Sequence, residues 1–190
     1  MTGLNPETDC LVEIAVVITN SELEILDEGL SVVIKPRPES WANMNDFVRN
    51  MHTESGLIND VDSGLDLAEA EQLVLEYVKN FVPDARQAPL AGNTIGTDRM
   101  FLNRYMPNLD QHLHYRNIDV SSIKELTRRW YPRAYFQMPK KEGGHRALAD
   151  ILESITELRY YRETVLVPLP GPTSEQAKQA SVNVKSAESI

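Results

Sequence analysis

Three residues in the second half of the chain, Asp98, His145 and Asp150, are of the types that hold a cation and move a proton. Asp98 directly follows the run GNTIGT, so its carboxylate falls at a strand-to-helix junction, where open α/β sheets place their sites. The same position suits a simple helix cap, because Asp favours first turns. GNTIG is no phosphate loop, since the Lys and the spacing of that motif are absent. His145 and Asp150 are five residues apart, which on a regular helix turns them about 140° from each other. They serve one site only if Asp150 projects from the helix while His145 hangs on the preceding Gly143-Gly144 loop, where glycines permit unusual backbone angles. The alternative is a His near a helix N-terminus and a solvated Asp.

A second constellation, His112, His114, Tyr115 and Arg116, concentrates two of the four histidines beside an aromatic and a cation. Tetrahedral zinc normally needs a further Cys or His at useful spacing, and none is near. Base stacking and phosphate contact suit these types better.

The elements that must position these residues alternate in type. LVEIAVVIT (11–19) and LSVVIKP (30–36) are short β-branched runs joined by a turn, which predicts an antiparallel ribbon. Polar caps before mixed apolar stretches predict short helices over 40–51 and 53–60. From Leu67 to Val82, apolar residues including Leu73 fall at helical spacing behind a capping box of Asp66 and Glu69. APLAGN (88–93) predicts a strand feeding a helix over 98–105, and RNIDV (116–120) another strand, followed by a helix capped by Ser122 and Glu125. Leu148, Ile151, Leu152, Ile155 and Leu158 mark one face of a helix from about 145 to 163. Strands alternating with helices predict an α/β layer structure with helices packed on a mixed sheet.

A chain of 190 residues can bury one sizeable core, and nothing resembling a linker divides 1–166. Residues 167–190 are rich in Pro, Ser, Ala and Gln without apolar periodicity, so a flexible tail is expected. No run approaches a membrane span and no signal region opens the chain, so a cytoplasmic protein is expected. The lone Cys10 has no disulfide partner and reads as a small buried apolar residue. A net charge of −9 argues against gripping long nucleic acid, which rests on many Lys and Arg contacts to phosphates. It does not exclude a very short nucleotide, which needs one or two placed cations and metal ions.

Taken together, GNTIGTDRMFLNRYMP, HYRNIDVSSIKELTRRWYP and GHRALADILESITELRYYRE resemble signature runs of the oligoribonucleases, as do MTGL, NPETDCLVEIA and MHTESGL earlier in the chain. The resemblance covers residues 1 to about 165. It implies a DEDD exonuclease domain over 1–166, of the ribonuclease H-like fold: a mixed sheet flanked by helices. It also implies Asp98 and Asp150 as the third and fourth acidic metal ligands, and His145 as the general base. The implied reaction is 3′-to-5′ hydrolysis of RNA of two to five nucleotides, dinucleotides above all, with two Mg²⁺ or Mn²⁺ ions. By the same resemblance Leu4 is a wedge between two bases, Phe47 a stacking position, and Thr94, Arg116 and Ser121 a cap for the 5′-phosphate. His114 and Tyr115 belong to a segment that reaches a partner's site in a homodimer.

The first two acids of the family lie in a D-x-E run immediately before its M-T-G-L run, which here is opened by Met1. The opening strand of the sheet is therefore expected to be largely missing, and residues 1–190 to be inactive as they stand. A start codon set too far downstream is the favoured explanation, against a truncated chain or pseudo-enzyme, because the other signature residues remain. The alternative function is a catalytically dead nucleotide-binding or dimerisation module.

Overall fold

The structure, a computed structural model, describes residues 1–140 and 146–187. β1 (Glu13–Val16) and β2 (Leu30–Val33) pair antiparallel, with Glu13 opposite Val33 and Val16 opposite Leu30, which is the ribbon expected from their β-branched runs. The helix expected over 40–51 divides into α1 (Pro38–Ala42) and α2 (Asp46–Glu54). Asn45 divides them, because its side chain accepts the Val48 N–H and starts a new helix. Gly56, at φ 75°, then breaks the chain, so the helix expected over 53–60 is replaced by the 3₁₀ turns Leu57–Asn59 and Val61–Ser63.

α3 (Leu67–Phe81) carries the expected capping box of Asp66 and Glu69 and buries Ala70, Val74 and Val78. Leu73 of its apolar stripe stays 40% exposed. β3 (Pro89–Gly92) leads into α4 (Ile95–Tyr105), then α5 (Pro107–His112), β4 (His114–Asp119), α6 (Val120–Trp130) and α7 (Pro132–Phe136). The prolines that open α5 and α7 occupy the first helical turn, where a missing N–H costs nothing. β3 and β4 run parallel, with Gly92 opposite Asp119, so their C-terminal ends coincide. Among the described residues the strands form two two-stranded ribbons.

α8 (Ala147–Thr164) departs from its sequence pattern. The face it buries carries Ser154, Glu157 and Tyr161, while Leu152 is 41% exposed. α9 (Ser174–Ala187) lies within the segment read as a tail, and its residues 174–186 are all exposed. The main core joins Leu11, Val32 and Ile34 of the first ribbon to Val74 of α3 and to Phe101, Leu102 and Met106 around α4. α4 is thereby fixed by its apolar side. Cys10 is buried with Val12 and Leu57 in a smaller cluster. No helix among the described residues is long and apolar enough to cross a membrane.

Candidate active site

The coincident ends of β3 and β4 bring two helix starts together. Thr94, in the left-handed region at φ 54°, is the N-cap of α4, and Asp119 is the N-cap of α6. The Asp119 Oδ1 accepts from Ser121 N at 2.9 Å and from Thr94 N at 3.1 Å, so one carboxylate oxygen binds both junctions. The α6 cap is therefore Asp119 rather than Ser122, and the Asp-x-Ser run was the signal for it. The Thr94 and Ser121 hydroxyls lie 3.2 Å apart on the exposed side.

Behind them, Ser121 Oγ donates to Asn93 Oδ1 at 3.0 Å. The Asn93 amide donates to Ser154 Oγ at 2.9 Å and to Glu157 Oε2 at 3.1 Å. Ser154 Oγ donates onward to the Asp150 carbonyl at 2.8 Å. Glu157, 3% exposed, also accepts from Tyr161 OH at 2.8 Å and pairs with Lys124 Nζ at 3.3 Å. Burial, then the hydrogen bond to Glu157, pushes the Tyr161 phenol upward, so the phenol keeps its proton and remains a donor. This polar train ties the turn of α8 that bears Asp150 to the Thr94 junction. Asp150, Ser154, Glu157 and Tyr161 recur every three or four residues, so they share one face of α8.

The start of α8 is anchored separately. Arg146 Nε donates to Glu13 Oε1 at 2.8 Å and its Nη1 to Asp60 Oδ2 at 3.1 Å, while Glu13 Oε2 accepts the Ala147 N–H at 2.9 Å. A strand carboxylate thus caps α8 and fixes it against β1. His145 lies outside the described residues, as does its loop.

Asp98 is not the cap of α4 but sits in its first turn, half-buried. Desolvation pushes its carboxyl above the usual range. The Asp98 amide and the amino group at Met1 pull it back, and the Asp119 charge pushes it further up. A carboxylate held at such cost suits a cation. The oxygen donors of Asp98 and Asp150 fit a hard divalent ion in kind. Among the described residues no group of three or more His, Cys, Asp or Glu is close enough to hold an ion, so the donor set falls short in number.

The remaining sequence-derived residues stand on other segments of the chain. Leu4 and Phe47 are 76% and 78% exposed on separate segments. His114, Tyr115 and Arg116 cluster at the start of β4: the His114 and Tyr115 rings are 4.5 Å apart, and the Arg116 guanidinium lies 5.4 Å from the Tyr115 centroid. His114 Nδ1 accepts the Arg116 N–H. His112 leaves the cluster, because it is buried with Nε2 2.8 Å from the Val82 carbonyl oxygen.

A family model described as an exonuclease of the RNase T type matches residues 1–158. The oligoribonuclease of Leifsonia xyli subsp. xyli is 66% identical over 184 residues, covering 97% of this chain and 89% of the relative. Those of Streptomyces coelicolor and Mycobacterium leprae are 57% and 55% identical, covering 94% and 93% of this chain and 89% and 82% of the relatives. The chain belongs to the oligoribonuclease family of exonucleases. Its α/β architecture is that of the family's ribonuclease H-like domain. For an oligoribonuclease-family member, the junction of Asn93, Thr94, Asp98, Asp119 and Ser121 is the part of the surface where carboxylate, hydroxyls and helix starts converge.

Proposed function

We propose that this chain acts as a 3′-to-5′ exoribonuclease on RNA of about two to five nucleotides, dinucleotides above all, releasing mononucleotides by two-metal hydrolysis. The observation that carries the reading is the pairing of the exposed Thr94 and Ser121 hydroxyls at the joined ends of β3 and β4, one helical turn from the half-buried Asp98. Hydroxyls at a helix start suit a terminal phosphate. A net charge of −9 agrees with a short ligand, because there are few cations to track a long backbone.

Asp98 and Asp150 would hold the divalent cations, Mg²⁺ or Mn²⁺, which when bound supply Lewis-acid stabilisation of the leaving 3′ oxygen. His145 would accept the proton of the attacking water, a role matched by the ordinary imidazole pKa near 6.5. Arg116 would neutralise the 5′-phosphate with Thr94 and Ser121. Leu4 and Phe47, both exposed and apolar, would contact the bases.

A homodimer completes the reading. β4 has a single strand partner among the described residues, and exposed apolar side chains stand on it and on the helices that follow: Tyr115 at 71%, Ile118 at 42% and Trp130 at 65%. Through that face His114 and Tyr115 would reach the partner's site. The reading also places the enzyme in the cytoplasm.

Two-metal hydrolysis by this reading needs carboxylates beyond Asp98 and Asp150, which the family resemblance assigns to a D-x-E run. The test is cleavage of a 5′-phosphorylated dinucleotide in excess Mn²⁺ by residues 1–190 and by a version extended upstream through a D-x-E run. Cleavage by the extended version alone supports the mechanism; comparable rates overturn it.

A further inference from the structure

Leu4 stands on a loop of irregular backbone, and what holds that loop is unusually specific. Asp9 folds beneath it: Thr2 Oγ1 donates to Asp9 Oδ1 at 3.2 Å and Asn5 N to Oδ2 at 2.9 Å. The space beside Gly3 is filled, because a Cβ there would lie 2.4 Å from Asp9 Oδ2. The carbonyls that the loop turns outward are gathered from the other side. Tyr105 OH lies 2.7 Å from the Pro6 carbonyl oxygen and 2.8 Å from that of Asp9, and its single proton serves one of them at a time. Arg37 Nη2 donates to the Asp9 carbonyl at 2.8 Å and to the Tyr105 oxygen at 3.0 Å.

Tyr105 is the last residue of α4, and Thr94 caps the start of the same helix. The helix rises about 1.5 Å per residue and is packed into the core through Phe101 and Leu102, so it is a rigid bar between the two ends. One end carries the hydroxyl pair and Asp98. The other end grips the loop that thrusts Leu4 into solvent.

We infer that Tyr105, assisted by Arg37, is a positioning residue for substrate selection: it fixes the Leu4 loop at a set place along α4, so that Leu4 meets a ligand with two bases and is passed by a ligand with one. The inference rests on the proposed reading of the site. Without the phenol hydroxyl the Pro6 carbonyl has no partner and the loop is free to shift, although Arg37 and Ser40 still hold its far end.

The test is calorimetric titration of the full chain with 5′-phosphorylated diadenosine and with adenosine 5′-monophosphate. Tyr105→Phe keeps the ring against Phe101 and should weaken the dinucleotide about fivefold while leaving the mononucleotide unchanged. Leu4→Ala should produce the same selective loss, and the double variant should be no worse than Leu4→Ala, because Tyr105 acts through Leu4. Arg37→Gln should repeat the pattern from the other side of the loop, which separates positioning from a folding defect at Tyr105. No loss, equal loss for both ligands, or losses that multiply in the double variant overturn the inference while the unsubstituted chain still prefers the dinucleotide. An unsubstituted chain with no such preference overturns the functional reading itself.

Discussion

The hydroxyls of Thr94 and Ser121, 27 residues apart in the chain, face each other across 3.2 Å, and Thr94 N–H reaches the Ser121 Oγ at 3.0 Å. The Ser121 hydroxyl gives its proton to Asn93 Oδ1 and Asp119 holds the Thr94 N–H, so the proton left to meet a ligand at this junction is that of the Thr94 hydroxyl. Thr94→Val should weaken a 5′-phosphorylated dinucleotide about tenfold and leave the unphosphorylated dinucleotide unaffected, since a hydrogen bond to a charged group contributes on the order of 1.5–3 kcal/mol. Titration of both ligands checks this. Equal losses would remove the phosphate assignment.

Glu157 is the hub of the polar train, with Asn93, Lys124 and Tyr161 all bonded to its carboxylate. Glu157→Leu leaves those donors and a cation without their acceptor in a site that is 3% exposed. The expected cost is about 3 kcal/mol, read as a lower urea midpoint at unchanged m-value. A shift near zero would mean that water replaces the carboxylate there.

His52 gives the fold an acid sensitivity. Its ring is buried against Trp41, Nε2 lies 2.9 Å from the Met1 carbonyl oxygen, and Nδ1 has no partner. Desolvation, against a smaller opposing pull from that carbonyl, lowers its pKa below 6.5. The unfolded chain therefore takes up this proton first as pH falls. Stability attributable to His52 is full above about pH 6.5 and declines as pH drops towards the lower folded pKa. His52→Gln should flatten the dependence of unfolding free energy on pH in that window. An unchanged slope would show that other groups set it.

The exposed apolar side chains on and after β4 should be covered by a second copy. Ile118→Asp places a charge on the open strand edge and should convert a dimer into a monomer in sedimentation velocity. Co-migration of the two proteins would move the interface elsewhere.

Asp98 was legible in the sequence as an acid in the first turn of a helix that follows a strand and turn, whereas Thr94 and Ser121 entered only through the resemblance to the family. Asn93, Glu157 and the Asp119 bond to Thr94 were not legible, because those roles come from contacts between segments tens of residues apart. α8 shows the physical reason most clearly. Of its apolar stripe Leu148, Ile151, Ile155 and Leu158 are half-buried and Leu152 is exposed, while the fully buried residues are Ser154, Glu157 and Tyr161, since a satisfied polar network can occupy part of an interface that periodicity assigns to apolar groups. The split of the 40–51 helix turned on one Asn side chain capping Val48, a choice that composition does not announce. The antiparallel ribbon and α3 were plain, because β-branched alternation and a capping box are local signals.

The most direct measurement follows a 5′-end-labelled pentaribonucleotide exposed, with Mn²⁺, to the protein extended upstream through a D-x-E run. The expected result is a ladder shortening by one nucleotide at a time from the 3′ end, abolished by Asp98→Asn and slowed on the order of 10²-fold or more by His145→Ala. Cleavage at internal bonds, or an undiminished ladder with Asp98→Asn, would contradict it.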